Sequence, residues 1–208
     1  MTAEEEEEAV RVAASGPQLA VPAVSAVNIA NVLTVGRFLL VPVFGVFMFA
    51  AGGHTTGWRI AAAATYAVAA FTDQIDGYVA RRRGIVTDFG KLADPLADKA
   101  LTGAALISLS VLGDLPWAVT VIVGFREIAV TALRLWVVRI GVIAASRGGK
   151  IKTLLLNLAI GLYVLPLSGA WGTARALVMA AGVVMALTTG VDYTARALTL
   201  HRRPKDAP

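Results

Sequence analysis

The chain has 208 residues, 57% of them hydrophobic and 16% charged, and its mean hydropathy is +0.69. Soluble domains carry about 25% charged residues, so an ordinary soluble enzyme and a disordered chain are both excluded. With no cysteine, disulfides, thiolate metal sites and cysteine nucleophiles are excluded too. A net charge of +5 on so apolar a chain reads as contact with anionic lipid and a device for orientation; no nucleic-acid partner is expected.

Residues 1–27 open with the acidic run Glu4 to Glu8 and are broken by Pro17 and Pro22. A secretory signal begins basic, so this segment is read as a mobile acidic tail. Residues 28–200 form the body, and 201–208 a basic C-terminal tail. A spanning helix needs about 20 mostly apolar residues. Six candidate spans follow in order: Val32–Ala51, Trp58–Ala80, Phe89–Leu112, Pro116–Val138, Ile151–Leu167 and Ala174–Leu198. Short links between them imply up-and-down neighbours. The expected fold class is an all-α integral membrane protein of six transmembrane helices.

Basic residues divide unevenly between the two sides. Arg81, Arg82, Arg83, Arg139, Arg147, Lys150, Lys152, Arg202, Arg203 and Lys205 fall on one side, and Arg59 and Arg175 on the other. Basic loops stay in the cytoplasm, so both termini and both basic links are expected there. Trp58, Trp117 and Trp171 near helix ends fit an interfacial aromatic belt, as does Trp136. Asp192 and Arg196 read as an i, i+4 structural pair. His54 and His201 stand alone in the sequence.

Four carboxylates interrupt the apolar pattern. Asp73 and Asp76 close the second span, and Asp94 and Asp98 open the third. A charge within a span costs about 2.5–3.5 kcal/mol, so a cluster of four demands compensation. Asp73, Asp76, Gly77, Ala80 and Arg81 share one helical stripe, and Gly90, Asp94 and Asp98 share another. Antiparallel neighbours can turn the two stripes toward each other. Four carboxylates then suit hard cations, Mg²⁺ or Mn²⁺, with two ions neutralising them. Because Mg²⁺ commonly bridges carboxylates to substrate phosphates, a site of this kind at a membrane surface points to phosphoryl chemistry on a lipid. The plainer alternative pairs the acids with Arg81, Arg82, Arg83, Lys91 and Lys99. A second alternative, an ion or proton transporter, would use the acids as relay groups; their clustering at one face and the lack of a repeat count against it.

Written out, Asp73 to Asp98 reads D-x2-D-G-x2-A-R-x8-G-x3-D-x3-D, which resembles the signature of the CDP-alcohol phosphotransferase family. Further segments resemble its phosphatidylglycerophosphate synthase branch: Asn28 to Arg37, Thr87 to Lys99, Arg126 to Arg134, and Gly149 to Thr153. Ala30 departs from the branch, which commonly has proline there. The resemblance implies a CDP-alcohol phosphotransferase fold working as a homodimer in a bacterial plasma membrane, with its site open to the cytoplasm. It implies CDP-diacylglycerol as donor and a divalent metal.

Carried over position by position, the resemblance puts metal binding on Asp73, Asp76 and Asp94. It makes Asp98 the general base and a further metal contact. It places Asn31, Thr34, Gly77, Ala80, Arg81 and Gly90 around the cytidine diphosphate. The implied reaction joins CDP-diacylglycerol and glycerol 3-phosphate into phosphatidylglycerophosphate and CMP. A sibling using phosphatidylglycerol, inositol phosphate or another alcohol is the nearest alternative. The acceptor's own phosphate requires a basic pocket, for which Arg126, Arg134, Arg147, Lys150 and Lys152 are the candidates. Arg126 has a competing use, a pairing with Glu127. Gly148 and Gly149 read as a flexible loop or a point of close phosphate approach.

Overall fold

A computed structural model describes residues 29–83, 88–137 and 147–202, with side chains placed for 33–72, 96–137 and 148–200. The acidic tail and the last six residues lie outside that range. Six α-helices account for the described body: α1 (Ile29–Phe49), α2 (Thr56–Arg83), α3 (Asp88–Val111), α4 (Trp117–Val137), α5 (Arg147–Val164) and α6 (Ala170–Arg202). Each coincides with one of the six apolar stretches, because runs of alanine, leucine and valine favour helix and the glycine-bearing links stop it.

Three ends differ from expectation. α2 continues through Arg81, Arg82 and Arg83, so these arginines extend a helix instead of forming the link. α5 begins at Arg147, which puts Gly148, Gly149 and Lys150 in its first turn. The expected Gly-Gly loop is therefore helical, and Thr153 Oγ1 returns a hydrogen bond to the Gly149 carbonyl at 3.1 Å. α6 runs to Arg202, two residues past the expected tail boundary.

The helices form two interlocking groups. α1 packs on α2 and α3, while α6 packs on α5 and α4; α2 and α3 meet α5 across the middle. Phe44, Met48, Tyr66, Leu101, Leu106, Leu109, Val123, Leu156 and Ile160 fill the buried centre. The outside is apolar as well. Leu39, Val68, Phe71, Ile107, Phe125, Leu154 and Val191, drawn from all six helices, are at least half exposed or close to it. A soluble domain does not present such a surface on every side, and lipid tails are the solvent that fits it. Among the described residues, two helices are long and apolar enough to cross a membrane by length and composition, over Leu33–Gly53 and Ala170–Leu200.

One end of the bundle is closed by a buried arginine. Arg59 is 4% exposed. It donates through Nε to the Gly53 carbonyl, through NH1 to the Tyr163 carbonyl at 3.5 Å, and pairs through NH2 with Asp114. It thereby ties the α1–α2 link, the α3–α4 link and the end of α5. Gly53 has φ +81°, a backbone conformation that favours glycine, and a Cβ there would press on the Leu112 side chain under the clasp. Gly113 (φ 78°) ends α3, with Asp114 N bonded back to the Leu109 carbonyl at 2.9 Å. His54 has a neighbour that its sequence position did not show: Nε2 lies 3.6 Å from Asp114 Oδ1. Arg175 lies over the Tyr163 ring at 4.7 Å. Trp58, Trp117 and Trp171, each exposed, start α2, α4 and α6 at this same end. The expected pair of Asp192 and Arg196 forms at 3.0 Å.

Candidate active site

Toward the other end, α3, α4 and α5 enclose a cavity of about 260 Å³. Asp98, Lys99 and Thr102 line it from α3, Glu127 from α4, and Lys152, Thr153 and Asn157 from α5. Deeper in, the wall turns apolar through Leu106, Ile107, Val123, Gly124, Ile128 and Leu156. The polar side chains occur at positions that helical periodicity turns inward: Asp98 and Thr102 are one turn apart on α3, as are Thr153 and Asn157 on α5.

Beneath the polar rim, Tyr66 of α2 is 3% exposed. Its phenol donates to Asn157 Oδ1 at 3.2 Å. This contact joins α2 to α5 at Asn157, a residue of the cavity wall. A second buried polar contact, Ser110 with Thr120 at 2.6 Å, joins α3 to α4 further along. Buried polar groups in an apolar bundle persist where each finds a partner.

Charge in the cavity centres on Glu127. Its Oε1 accepts from Arg126 NH1 at 2.8 Å and from Lys152 Nζ. Its Oε2 lies 3.4 Å from Lys99 Nζ. Lys99 also donates to Thr131 Oγ1 at 2.6 Å. Three cations from three helices thus share one carboxylate.

The sequence-derived candidates separate by location. Lys152 is 8% exposed and faces the cavity. Arg126 stands behind it, with Nε on the Ala186 carbonyl at 2.8 Å and NH2 on Thr189 Oγ1 at 2.9 Å, so it anchors α4 to α6 as well as pairing with Glu127. Gly190 lies against it, where a Cβ would make an ordinary contact at 3.4 Å with the Arg126 side chain. Arg134 shares the stripe of Arg126 but sits 5.8 Å from the Tyr193 ring centroid, off the cavity wall. Lys150 is exposed and off the wall too. The Arg147 side chain lies outside the described residues.

Among the expected acids, Asp98 is half-buried on the cavity wall. The side chains of Asp73, Asp76 and Asp94 lie outside the described residues. Their backbones belong to the last three turns of α2 and the second turn of α3. No group of three acidic or histidine side chains gathers among the described residues. For the expected nucleotide pocket, Thr34 is 1% exposed on α1. Asn31, Gly77, Ala80, Arg81 and Gly90 are helical, with surroundings outside the described residues. Arg37, one turn past Thr34, is also buried.

Sequence reasoning placed Lys99 among partners for the acids and Glu127 as a partner for Arg126 only. It did not single out Thr102, Asn157 or Tyr66. Asn157 carried a usable signal, a lone amide inside an apolar run. Thr102 and Tyr66 carried none, since both are ordinary in membrane helices.

A family described as CDP-alcohol phosphatidyltransferase matches residues 27–188. The chain is 54% identical over 171 residues, 82% of each chain, to a Mycobacterium tuberculosis protein named "Probable phosphatidylglycerophosphate synthase". It is 42% identical over 149 residues to the Bacillus subtilis "CDP-diacylglycerol--glycerol-3-phosphate 3-phosphatidyltransferase", covering 66% of this chain and 77% of that one. A Rickettsia felis protein of the same name is 33% identical over 143 residues, 68% of this chain and 77% of the other. The family match spans most of the chain and includes both the acidic motif and the cavity, so this chain belongs to the CDP-alcohol phosphatidyltransferase family of enzymes.

Proposed function

We propose that the chain transfers the phosphatidyl group from CDP-diacylglycerol to glycerol 3-phosphate, giving phosphatidylglycerophosphate and CMP. The observation that carries the choice of acceptor is the cavity itself, with Asp98 on the same wall as Lys99 and close to Glu127 and Lys152. A small acceptor bearing a phosphate and a hydroxyl needs a cation for the first and a proton acceptor for the second. A volume near 260 Å³ lies at the small end of ligand sites and suits a three-carbon phosphate better than a nucleotide lipid. The names of the relatives support the same acceptor.

In the proposed step the acceptor hydroxyl attacks the phosphorus that carries diacylglycerol. The bond from that phosphorus to the CMP oxygen breaks, the electron pair leaves with CMP, and the hydroxyl proton passes to an Asp98 carboxylate oxygen. Direct transfer without a covalent enzyme intermediate is expected, because the sequence has no cysteine and no evident Ser/His pair. Lys152 and Lys99 hold the acceptor phosphate, and the Tyr66–Asn157 contact keeps α2 and α5 in place beneath it. Asp73, Asp76, Asp94 and Asp98 are the residues that would hold Mg²⁺ or Mn²⁺, two ions per site. The oxygen-only donor set fits hard cations, and Asp98 opens onto the cavity. When bound, such ions neutralise the pyrophosphate charge.

The remaining parts of the reading concern the membrane. We take all six helices as spans, supported by the exposed apolar residues on each of them. Both termini and the active site face the cytoplasm of a bacterial plasma membrane, supported by the basic bias of that end. Asn31, Thr34, Gly77, Ala80, Arg81 and Gly90 line the donor site, and a homodimer is the working assembly; both rest on the family resemblance.

Purified protein given radiolabelled CDP-diacylglycerol, Mg²⁺ or Mn²⁺ and a panel of acceptors tests the reading. Label in phosphatidylglycerophosphate with glycerol 3-phosphate, and CMP release that depends on metal, are expected. Transfer to phosphatidylglycerol or inositol phosphate in its place would reassign the acceptor, and no CMP release with any acceptor would point back to transport. Within the same assay, Lys152→Ala should raise KM for glycerol 3-phosphate about tenfold, the scale of one lost charge-assisted hydrogen bond, with KM for CDP-diacylglycerol unmoved. An unchanged glycerol 3-phosphate KM removes Lys152 from the pocket.

A further inference from the structure

Lys99 and Lys152 come from different helices and reach the same small volume. Two ammonium groups that converge in an apolar bundle repel one another unless an anion lies between them. Here the anion is the Glu127 carboxylate, with Oε2 at 3.4 Å from Lys99 and Oε1 bonded to Lys152. That carboxylate is overcommitted, because Oε1 also accepts from Arg126 at 2.8 Å. Arg126 has its own anchorage on Ala186 and Thr189 of α6. It stays in place whether or not Glu127 keeps its contacts with the lysines.

We propose that Glu127 is the resident placeholder of the acceptor-phosphate subsite formed by Lys99 and Lys152. On binding, the phosphate takes both lysines and Glu127 withdraws onto Arg126. A phosphate monoester suits the exchange on two counts. It offers three terminal oxygens where the carboxylate offers two, and as a dianion it outbids a single negative charge for two ammonium groups. A phosphodiester, a monoanion with two free oxygens, gains no such advantage over Glu127. The placeholder therefore keeps the lysines converged in the empty enzyme and discriminates against diester acceptors. This inference rests on the acceptor reading above and deepens it.

Glu127→Gln keeps the size and shape of the side chain and removes the competing charge. KM for glycerol 3-phosphate and Ki for inorganic phosphate should both fall, by about five- to tenfold on the scale of one charge-assisted contact. Glu127→Asp, one methylene too short to bridge both lysines, should shift both constants the same way. Lys99→Gln should raise both. A rise in KM and Ki in Glu127→Gln and Glu127→Asp would overturn the placeholder and make Glu127 a group that only positions the lysines. If the wild-type enzyme uses glycerol 3-phosphate and the glutamate variants move the wrong way, this inference alone fails. If the wild-type enzyme ignores glycerol 3-phosphate, the acceptor reading fails. Calorimetric titration of wild-type and Glu127→Gln protein with inorganic phosphate then still reads the subsite, tighter binding to the variant supporting it and equal or weaker binding overturning it.

Discussion

Asp98→Asn should lower the rate of phosphatidyl transfer by about 10²–10⁴-fold, the usual contribution of a positioned general base. Asparagine preserves the shape of the side chain and loses the proton acceptor. The position is half-buried on the wall of a cavity that also presents Lys99 and Lys152, so no bulk solvent base has equivalent access to the acceptor hydroxyl. The loss should appear in kcat, with glycerol 3-phosphate KM changing little, because the lysines proposed to hold the phosphate remain. Steady-state kinetics on detergent-purified protein, with unfolding temperature as a control on folding, measure both. A variant that keeps half of the wild-type kcat would move the base to another residue.

Asp114→Asn should produce the largest loss of stability. Arg59 is 4% exposed and Asp114 is its counter-charge. Removing one member of a buried pair costs about 3–5 kcal/mol, because the other is left charged and unpaired. Arg59 keeps the carbonyls of Gly53 and Tyr163, and the Asp114 side chain is 17% exposed, so the lower part of that range applies. At roughly 2–4 °C per kcal/mol for a chain of this size, Tm in detergent should fall by about 6–12 °C. Arg59→Met together with Asp114→Leu should recover part of the loss, since an apolar pair leaves no charge behind. Activity below the transition should be retained, because the clasp and the cavity occupy opposite ends of the helices. A Tm within about 2 °C of wild type would show that the clasp is solvated and contributes little.

The legibility of these features follows the range of the forces behind them. The six helices are legible because a long apolar run, kept from water, leaves its backbone only one way to satisfy itself. Helix ends were read less well. Arg81 to Arg83 and Arg147 to Lys150 looked like links because they are polar, yet a helix continues as long as its charged residues can reach the interface. The acidic motif was legible as spacing, and its residue types alone named the chemistry.

Arg126 and Arg134 show the limit. Their shared stripe grouped them correctly, but the stripe faces α6: one binds Ala186 and Thr189, the other meets Tyr193. Nothing in the periodicity of α4 says which neighbour that face will meet. In the sequence Arg59 is only a basic residue on the sparse side; its burial depends on two links and the end of α5 closing around it.

By itself, then, the sequence determined how many helices form among the described residues, which of their faces carry polar groups, and the acidic pattern that names the family, because each depends on residues within a few turns of one another. Tertiary structure alone decided that Lys99, Arg126 and Lys152 meet at Glu127, and that a cavity opens beside them next to Asp98. Those contacts join α3, α4 and α5, and α6 through Arg126. The partner of a helix face is settled by the packing of the whole bundle, a property no single helix encodes.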